Sequence, residues 1–317
     1  MSEIVSLSAI LTALAIGVAG FVLALVVRLF KGDGAASALR GLEAFVAGTL
    51  GAFLAHMFIF LMLAAGKHSE FAVTMTSFFF FIWPGLVNVV SYLASGHAVI
   101  GESAVLWIAL FVGGLVGVMD GLWATHKWLG IGPVGFLLDV TWGLGGSTNG
   151  VLLHLINTIA TTHADGPAEI RHEAHRYIKG FRIKTDFVFT QGAVMSDSGA
   201  WAPGTDLFTH ESIHVWQNRI LGPFFWFSYA LWMVLAFLPS LVAGLIGKNV
   251  SDAIQWWTYF DNPWEVMAYR LANPADRMGW NKPRWLCWPW PVAIALAPVV
   301  LAAIAALFIH LFAGAYT

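Results

Sequence analysis

The sequence predicts an all-α polytopic membrane protein that carries a small extramembrane α+β segment. Of its 317 residues, 58% are hydrophobic and only 11% are charged, whereas soluble proteins contain about 25% charged residues. Several apolar runs reach the roughly 20 residues that a membrane-spanning helix requires. The composition therefore implies a lipid bilayer as partner. It excludes a disordered chain, an ordinary soluble enzyme and a nucleic-acid-binding protein with a basic face.

Residues 1–160 are expected to form a membrane bundle of about five helices. The apolar runs lie at 4–30, 41–65, 73–95, 98–123 and 129–160. The first run follows Glu3 with no basic segment before it and is too long for a signal-peptide core, so we expect a retained helix. A further apolar run at 286–313 predicts a C-terminal transmembrane helix within 286–317.

Glycines within the bundle have structural interpretations. Gly113, Gly117 and Gly121 recur every four residues, which predicts a small-residue stripe for close helix packing. The segment 143–150 (GLGGSTNG) lacks the lysine of a phosphate-binding loop, so it indicates a flexible or broken span. Acidic and histidine side chains also lie in or near the apolar runs. Such groups are often functional in membranes, and they are Glu43, His56, Asp120, Asp139 and His154.

Residues 161–220 are predicted to form an extramembrane segment. Six of the sixteen Lys and Arg residues fall within it. Its stretch 183–191 (IKTDFVFTQ) alternates in polarity and ends at Gly192, which predicts a strand with 193–196 as its partner. An open edge of such a strand could hold an extended peptide, or the ribbon could simply support a neighbouring helix.

The positive-inside rule orients the chain. Basic residues bracket the first loop, which places that loop in the cytoplasm and the segment 161–220 on the same side after five crossings. A second polar stretch, 248–285, contains five basic residues and is also expected in the cytoplasm. Both conditions hold only if 221–247 enters the membrane and returns. We therefore predict a re-entrant hairpin of two short helices broken near Pro239.

The strongest chemical signal is an HExxH motif, His210-Glu211-Ser212-Ile213-His214. Residues four apart share one helix face, so both imidazoles can hold one metal ion. Glu211 can then take a proton from a water at that metal. Thr205 and Asp206 predict the start of the helix, and Gly222-Pro223 predicts its end. At this composition a chance match is expected in about one of 100 such chains.

A catalytic zinc site needs a third protein ligand. The single cysteine, Cys287, allows neither an intramolecular disulfide nor a cysteine-based zinc site. Glu265 stands out because it lies 51 residues after His214, on a predicted helix that begins after Asn262-Pro263. The structural alternative is that Glu265 pairs with Arg270 or caps its helix. The stretch 172–175 (HEAH) lacks the motif spacing and indicates a solvated face or a supporting role.

These residues resemble a family. The run from Thr209 to Trp216 (THESIHVW), continued by Gln217 and Leu221-Gly222-Pro223, resembles gluzincin-type HExxH zinc metallopeptidases, in particular bacterial multi-pass membrane proteins. Asn262-Pro263-Trp264-Glu265 with Ala268-Tyr269 is similar to their glutamate motif, but Met267 stands where a second acid is usual. The resemblance implies zinc on His210, His214 and Glu265, with Glu211 as the general base.

The function expected from these signals is zinc-dependent hydrolysis of a peptide bond in a peptide or membrane-protein substrate. Eleven of the sixteen tryptophans fall at or after residue 201, and tryptophan concentrates at the bilayer surface. The metal site is therefore expected at the cytoplasmic face of a bacterial inner membrane. Two alternatives stay open, a non-catalytic subunit of a membrane-protein complex with a structural zinc, and a transporter.

Overall fold

The computed structural model describes residues 6–161, 163–164, 172–183, 187–199, 204–273 and 275. Within them, four helices are long and apolar enough to cross a membrane, as expected for a helical membrane protein. The chain divides into two compact units, Met1–Pro203 with Asn218–Pro223, and Gly204–Gln217 with Phe224–Thr317. The division differs from the predicted boundaries, since 204–217 separates from the rest of 161–220. The predicted helix at 286–313 lies outside the described residues, as does Cys287.

Helices make up most of the first unit. In chain order they are α1 (Leu7–Phe30), α2 (Ala36–Ala65), α3 (Glu70–Phe81), α4 (Trp83–Ser95), α5 (Glu102–Trp123), α6 (Gly132–Asp139) and α7 (Leu144–Ala160). The helices α1, α2 and α5 correspond to three of the five predicted spans and are the membrane-crossing candidates of this unit. They pack against one another.

The predicted glycine stripe is confirmed as the contact between α5 and α2. A β-carbon at Gly113 would meet the carbonyl oxygen of Gly51, and one at Gly117 would meet the carbonyl of Ala47. At Gly121 the nearest atoms are backbone atoms of Ala44. The two backbones are therefore in direct contact along the stripe, an approach that larger residues would prevent.

The apolar run 73–95 was predicted as one span, and this prediction is wrong. The run forms two helices, α3 and α4, of 12 and 13 residues. Ile82, between them, has φ of 36°, and Pro84 lies in the first turn of α4, a position that suits proline. Asn88 of α4 donates to Ser77 Oγ of α3 at 3.0 Å. The chain therefore folds back on itself as a helical hairpin.

The start and the end of this hairpin are adjacent. Glu70 accepts a hydrogen bond from the backbone nitrogen of Ala98 at 2.8 Å, and His68 Nδ1 lies 2.8 Å from Glu102 Oε1. Neither α3 nor α4 reaches the roughly 30 Å thickness of a bilayer core at 1.5 Å per residue. The segment 69–101 thus has the geometry of a re-entrant hairpin.

The run 129–160 is also two helices instead of the predicted single span. α6 ends at Asp139 and α7 begins at Leu144. The backbone nitrogen of Gly143 donates to Leu138 O at 2.7 Å, which closes the turn between them. The break falls at the start of the glycine-rich segment, and the rest of that segment is helical.

Three short strands follow α7. They are β1 (His175–Arg176), β2 (Phe189–Gln191) and β3 (Val194–Ser196), in the spatial order β1-β3-β2. β2 and β3 pair antiparallel around Gly192, where the sequence predicts a strand and its partner, although β2 has only three residues. β1 pairs parallel with β3 and had no signal in the sequence.

The second unit contains most of α8 (Asp206–Leu221), which bears the HExxH motif. After it come α9 (Pro223–Gly247), α10 (Val250–Ile254), a π-helical segment (Gln255–Phe260) and α11 (Pro263–Ala272). The motif helix begins and ends where the sequence predicts.

The predicted hairpin over 221–247 is wrong, because α9 is one helix of 25 residues with Pro239 inside it. Proline removes one backbone hydrogen bond from a helix, but membrane helices tolerate this loss where nearby hydroxyl groups satisfy the distorted turn. Pro239 has no N–H for Leu235 O, and the adjacent Ser240 donates its hydroxyl to Phe237 O, in the same turn, at 2.6 Å. α9 is accordingly one of the four candidate spans.

Candidate metal centre

α8 presents the two motif histidines on one face. Thr205 Oγ1 accepts a hydrogen bond from the backbone nitrogen of Phe208 at 3.2 Å and so caps the start of the helix. His210 and His214 are one turn apart, and their Nε2 atoms lie 3.1 Å apart. Both side chains are buried. The helix therefore aims two imidazole nitrogens at one point.

α11 brings the third side chain to the same point. Asn262 caps the helix by accepting from the backbone nitrogen of Trp264 at 3.1 Å, and Pro263 occupies its first turn. This start places Glu265 in the first turn, with its side chain buried. Glu265 Oε2 lies 3.2 Å from His210 Nε2, and Oε1 lies 3.3 Å from His214 Nε2.

The ligand atoms of His210, His214 and Glu265 all lie within 4.8 Å of one another. Ligands bound to zinc at about 2.0–2.1 Å in a tetrahedron are roughly 3.3–3.4 Å apart. The distances of 3.1, 3.2 and 3.3 Å are close to this spacing, the last two being measured to different oxygens of the Glu265 carboxylate. Two histidines and one carboxylate are also a donor set that zinc prefers at catalytic sites. The residues therefore fit a zinc ion without rearrangement of the helices.

Gln217 orients His214. Its side-chain oxygen lies 2.8 Å from His214 Nδ1, so that nitrogen donates the hydrogen bond and Nε2 keeps its lone pair for the ligand position. The side-chain nitrogen of Gln217 donates to the backbone oxygen of Trp264 at 3.1 Å. Trp264 directly precedes Glu265. One side chain thus supports ligands from both helices, as outer partners of metal-binding residues commonly do.

Tyr229 of α9 holds the third ligand. Its hydroxyl donates to Glu265 Oε1 at 2.8 Å, while Ser228 accepts from the indole nitrogen of Trp264 at 3.0 Å. The hydrogen bond from Tyr229 therefore favours one carboxylate orientation, in which Oε2 faces His210.

The charges of the site are strongly coupled. Burial alone raises the pKa of Glu265, but His214 and His210 hold it well below its usual range. Burial lowers the pKa of His214, but Glu265, Glu211 and Gln217 together raise it to about 9. Glu211 itself is buried next to His210.

No protein-family model, curated protein or solved structure matches the chain. The likeness to HExxH peptidases therefore depends on the motif residues alone. Their side chains come together in the second unit as the motif predicts, with His210, His214 and Glu265 converging and Glu211 beside them.

The other residues that the sequence singles out near the motif lie outside the ligand set. The ring of Tyr269, part of the predicted glutamate motif, packs 4.2 Å from the His210 ring, centroid to centroid. His172 and His175 belong to the first unit, and His175 is buried instead of lying on a solvated face. Sequence analysis missed Tyr229, which is one polar group in an apolar run and carries no motif. Gln217 is part of the motif that resembles the peptidase family, but the sequence does not show that it contacts His214 and the backbone of Trp264.

Proposed function

We propose that the chain is a membrane-embedded, zinc-dependent metallopeptidase that hydrolyses a peptide bond near the membrane surface. The observation that carries this proposal is the convergence of His210, His214 and Glu265 at spacings that suit zinc, with Glu211 adjacent. Three protein ligands leave a fourth position for water or substrate, which is the arrangement of catalytic zinc sites.

Glu211 is the general base in this proposal. A zinc ion at this site supplies a Lewis acid that polarises a carbonyl group and increases the acidity of a nearby water. Glu211 is not one of the three converging ligands, so its carboxylate can accept a proton from the attacking water and pass it to the leaving amine. Gln217 and Tyr229 keep the ligands in place, which limits reorganisation during the reaction.

The location near the membrane surface is supported by Tyr229. This residue lies on a candidate membrane span, six residues and about 9 Å from the start of α9. Its hydrogen bond to Glu265 therefore links the ligand set to the first turns of an apolar helix. A peptide bond close to the end of a membrane segment is the substrate that this position favours.

Basic residues in the first unit indicate which end of its helices faces the cytoplasm. Arg28 and Lys31 at the end of α1 lie over the ring of Trp123 at the end of α5, at 5.7 and 4.7 Å. Arg40 pairs with Glu43, which also accepts from Trp128. We place this end of the bundle in the cytoplasm, since cytoplasmic ends are enriched in Lys and Arg. A cytoplasmic metal site in a bacterial inner membrane stays a prediction, although the described residues form neither the five crossings nor the hairpin over 221–247 from which the sequence derived it.

A structural zinc site is the second candidate. Exposed fractions of 1% for His210, 3% for Glu265 and 8% for His214 favour it, because a closed site is typical of zinc that stabilises a fold. In that case the chain is a non-catalytic subunit of a membrane complex. An acid at position 211 favours the enzyme, since a structural site requires no base.

The test measures zinc and hydrolysis in the purified full-length chain. We expect about one zinc per chain in the wild type, loss of zinc in His210→Ala, and unchanged zinc in Glu211→Gln. Hydrolysis of a peptide library, monitored by mass spectrometry, should fall about 10²–10⁴-fold in Glu211→Gln, because the amide cannot accept a proton. His68→Ala, an exposed histidine in the first unit, is the control.

The outcomes separate the candidates. Equal zinc content in wild type and His210→Ala would overturn the metal site. Zinc that is lost in His210→Ala but accompanied by no wild-type hydrolysis would favour the structural role. Hydrolysis that persists at full rate in Glu211→Gln would exclude Glu211 as the base.

A further inference from the structure

The chain turns back along α9 directly after this helix ends. Gly247 is the last residue of α9, and Lys248 has φ of 58°, a left-handed conformation that commonly follows the end of a helix. The backbone nitrogen of Asn249 donates to Gly244 O at 2.9 Å, and the Asn249 side chain caps α10 by accepting from the backbone nitrogen of Asp252 at 3.3 Å. Lys248, Asn249 and Asp252 are exposed. A polar turn therefore joins α9 to α10.

The residues after this turn, 250–262, form a return segment that stays in contact with α9. A β-carbon at Gly244 would meet Val250 Cα at 2.6 Å and the β-carbon of Ala253 at 3.1 Å. Farther back along α9, the indole nitrogen of Trp232 donates to the backbone oxygen of Trp257 at 3.0 Å. Later residues of the return segment thus contact earlier residues of α9, which is the antiparallel order of a hairpin.

The return segment ends at the metal centre. Asn262 donates from its side-chain nitrogen to the backbone oxygen of Tyr229 at 3.4 Å. In the next turn of the chain, Trp264 donates to Ser228, and Glu265 accepts from the Tyr229 hydroxyl. The hairpin formed by α9 and the return segment therefore brings the third ligand back to the first turns of α9.

Both arms of this hairpin have the composition of segments that contact lipid. α9 has no charged residue over Pro223–Gly247, and its 25 residues extend about 37 Å at 1.5 Å per residue, which exceeds the roughly 30 Å of the hydrocarbon core. The return segment has no charged residue from Ala253 to Phe260. Aromatic side chains of this arm are only half-buried, so they also present apolar surface outward, and they are Trp256, Trp257, Tyr259 and Phe260.

Polar groups of the return segment bond within the protein. Residues 255–260 are π-helical, and the backbone oxygen of Trp257 accepts from the side chain of Trp232. The buried hydroxyl of Thr258 donates to Ile254 O at 2.7 Å. In water such groups can bond to solvent, whereas in hydrocarbon each one needs a partner within the protein. A side chain of α9 that satisfies a carbonyl of the irregular arm therefore favours a lipid environment for that arm.

We propose that α9 and the return segment cross the hydrocarbon together, with the outer surface of both arms in contact with lipid acyl chains. The start of α9 and Glu265 then lie at one membrane face, and the turn at Lys248 lies at the opposite face. Because α8 directly precedes α9, His210 and His214 enter from the same face as Glu265. The ligand set is complete only when the return segment is inserted beside α9.

The order of basic residues agrees with this topology. The sequence analysis expected all five basic residues of 248–285 on one face, which a single crossing by α9 would contradict. With the hairpin, only Lys248 lies at the opposite face, next to the acidic Asp252. The chain reaches the other four only after Glu265, and they are Arg270, Arg277, Lys282 and Arg284.

The test is side-specific labelling of the full-length chain in sealed membrane vesicles of one orientation. Single cysteines replace Lys248, Asp252 or Leu271 in a variant without Cys287, and an impermeant thiol reagent is added from either side. All three positions are exposed. We expect Lys248→Cys and Asp252→Cys to react from one side only. Leu271→Cys, on α11 beyond Glu265, is the matched control and should react from the other side only.

A second measurement reports the surroundings of the return segment. A nitroxide attached to Ile254→Cys should relax faster with oxygen, which concentrates in hydrocarbon, than with a water-soluble nickel chelate. The same label on Asp252→Cys, at the polar turn, is the control and should relax faster with the nickel chelate. The difference between the two positions separates a lipid-embedded arm from one that lies in water.

Two results would overturn the proposal. Reaction of all three cysteines from the same side would show that the turn does not reach the opposite face. Faster relaxation of the Ile254→Cys label with the nickel chelate would show that the return segment lies in water. Asp252→Cys repeats the test of the turn if Lys248→Cys does not fold. Neither measurement requires zinc or hydrolysis, so the outcome is separate from that of the peptidase proposal.

Discussion

Gln217 Oε1 lies 2.8 Å from His214 Nδ1 and thereby determines which ring nitrogen of His214 faces the other two ligands. The same side chain donates to the backbone of Trp264, next to Glu265. Gln217 is thus a positioning residue for both halves of the ligand set, and its contribution can be separated from that of the ligands themselves.

Gln217→Leu should weaken zinc binding about 10–100-fold, which is the usual effect of removing an outer partner of a ligand. Gln217→Glu keeps an acceptor for His214 Nδ1 and should restore most of the affinity, although it loses the bond to Trp264. Competition with a fluorescent zinc chelator measures both variants. An equal loss of zinc affinity in Gln217→Leu and Gln217→Glu would show that the hydrogen bond to His214 does not support zinc binding.

Tyr229→Phe should also weaken zinc binding, by about 10-fold or more. The variant removes only the hydroxyl that donates to Glu265 Oε1, and hydrogen bonds to charged groups contribute about 1.5–3 kcal/mol. Tyr92→Phe, on α4 in the first unit, is the control. A zinc affinity equal to wild type in Tyr229→Phe would contradict this role.

The glycine contact between α2 and α5 predicts a strong effect of one methyl group. In Gly113→Ala the added carbon meets the carbonyl of Gly51 and the side chain of Ala55, so the helices must separate, at a cost of about 1–3 kcal/mol. Unfolding in a detergent titration measures the loss. Gly101→Ala, where the added carbon meets nothing within 4 Å, should lose less stability. Equal losses of stability in the two variants would argue against close packing of α2 and α5.

His126 is buried, with Nδ1 2.6 Å from Glu173 Oε2 and Nε2 3.3 Å from Asp120 Oδ2, and these contacts predict a pH dependence of stability. Its folded pKa, about 9, exceeds the ordinary value of 6.5, so the stabilisation is complete below pH 6.5 and disappears as the pH rises through about 9. Thermal unfolding midpoints of wild type and His126→Gln should therefore differ most near pH 6 and converge by pH 10. His97→Gln is the exposed control. A difference that is constant with pH would contradict the prediction.

The hairpin of α3 and α4 predicts which loops share a side of the membrane. Since its two ends meet at the contacts of Glu70 with Ala98 and of His68 with Glu102, Lys67→Cys and His97→Cys should react with an impermeant thiol reagent from the same side. Leu129→Cys, beyond the span α5, should react from the other side. The measurements use a variant without Cys287. Labelling of Lys67→Cys and His97→Cys from opposite sides would show that 69–101 crosses the membrane.

Apolar length predicted the long helices but not their interruptions. Hydrophobicity determines which residues avoid water, and α1, α2 and α5 follow from it directly. Whether proline breaks a helix depends on its neighbours. Pro84 stands at a break because Gly85 lets α4 approach the backbone of Phe78, whereas Pro239 stays within α9 beside the hydroxyl of Ser240. Run length gave one span for 73–95, whereas the hairpin over 221–247 came from the positive-inside rule and Pro239. Neither signal reports the contacts that decide whether a helix continues.

The candidate site was more predictable than the fold. His210, Glu211 and His214 follow from helix periodicity, and Glu265 follows from the requirement for a third ligand with Asn262-Pro263 as a helix start. Tyr229 could not be inferred, because its partner is 36 residues away and its own segment appears purely apolar. The burial of His175 was equally hidden, since it lies in β1, whose parallel pairing with β3 has no signal in the sequence.

The contact of Gly113 with Gly51 also restricts how solutes could pass through the first unit. Carbonyl groups of the two helices lie against the opposite backbone, so a file of water molecules has no room between α2 and α5 at this level. The seam is therefore closed to permeation, and widening it would require the pair to come apart. Any conducting path in a transporter built on this bundle must run along another face of α5.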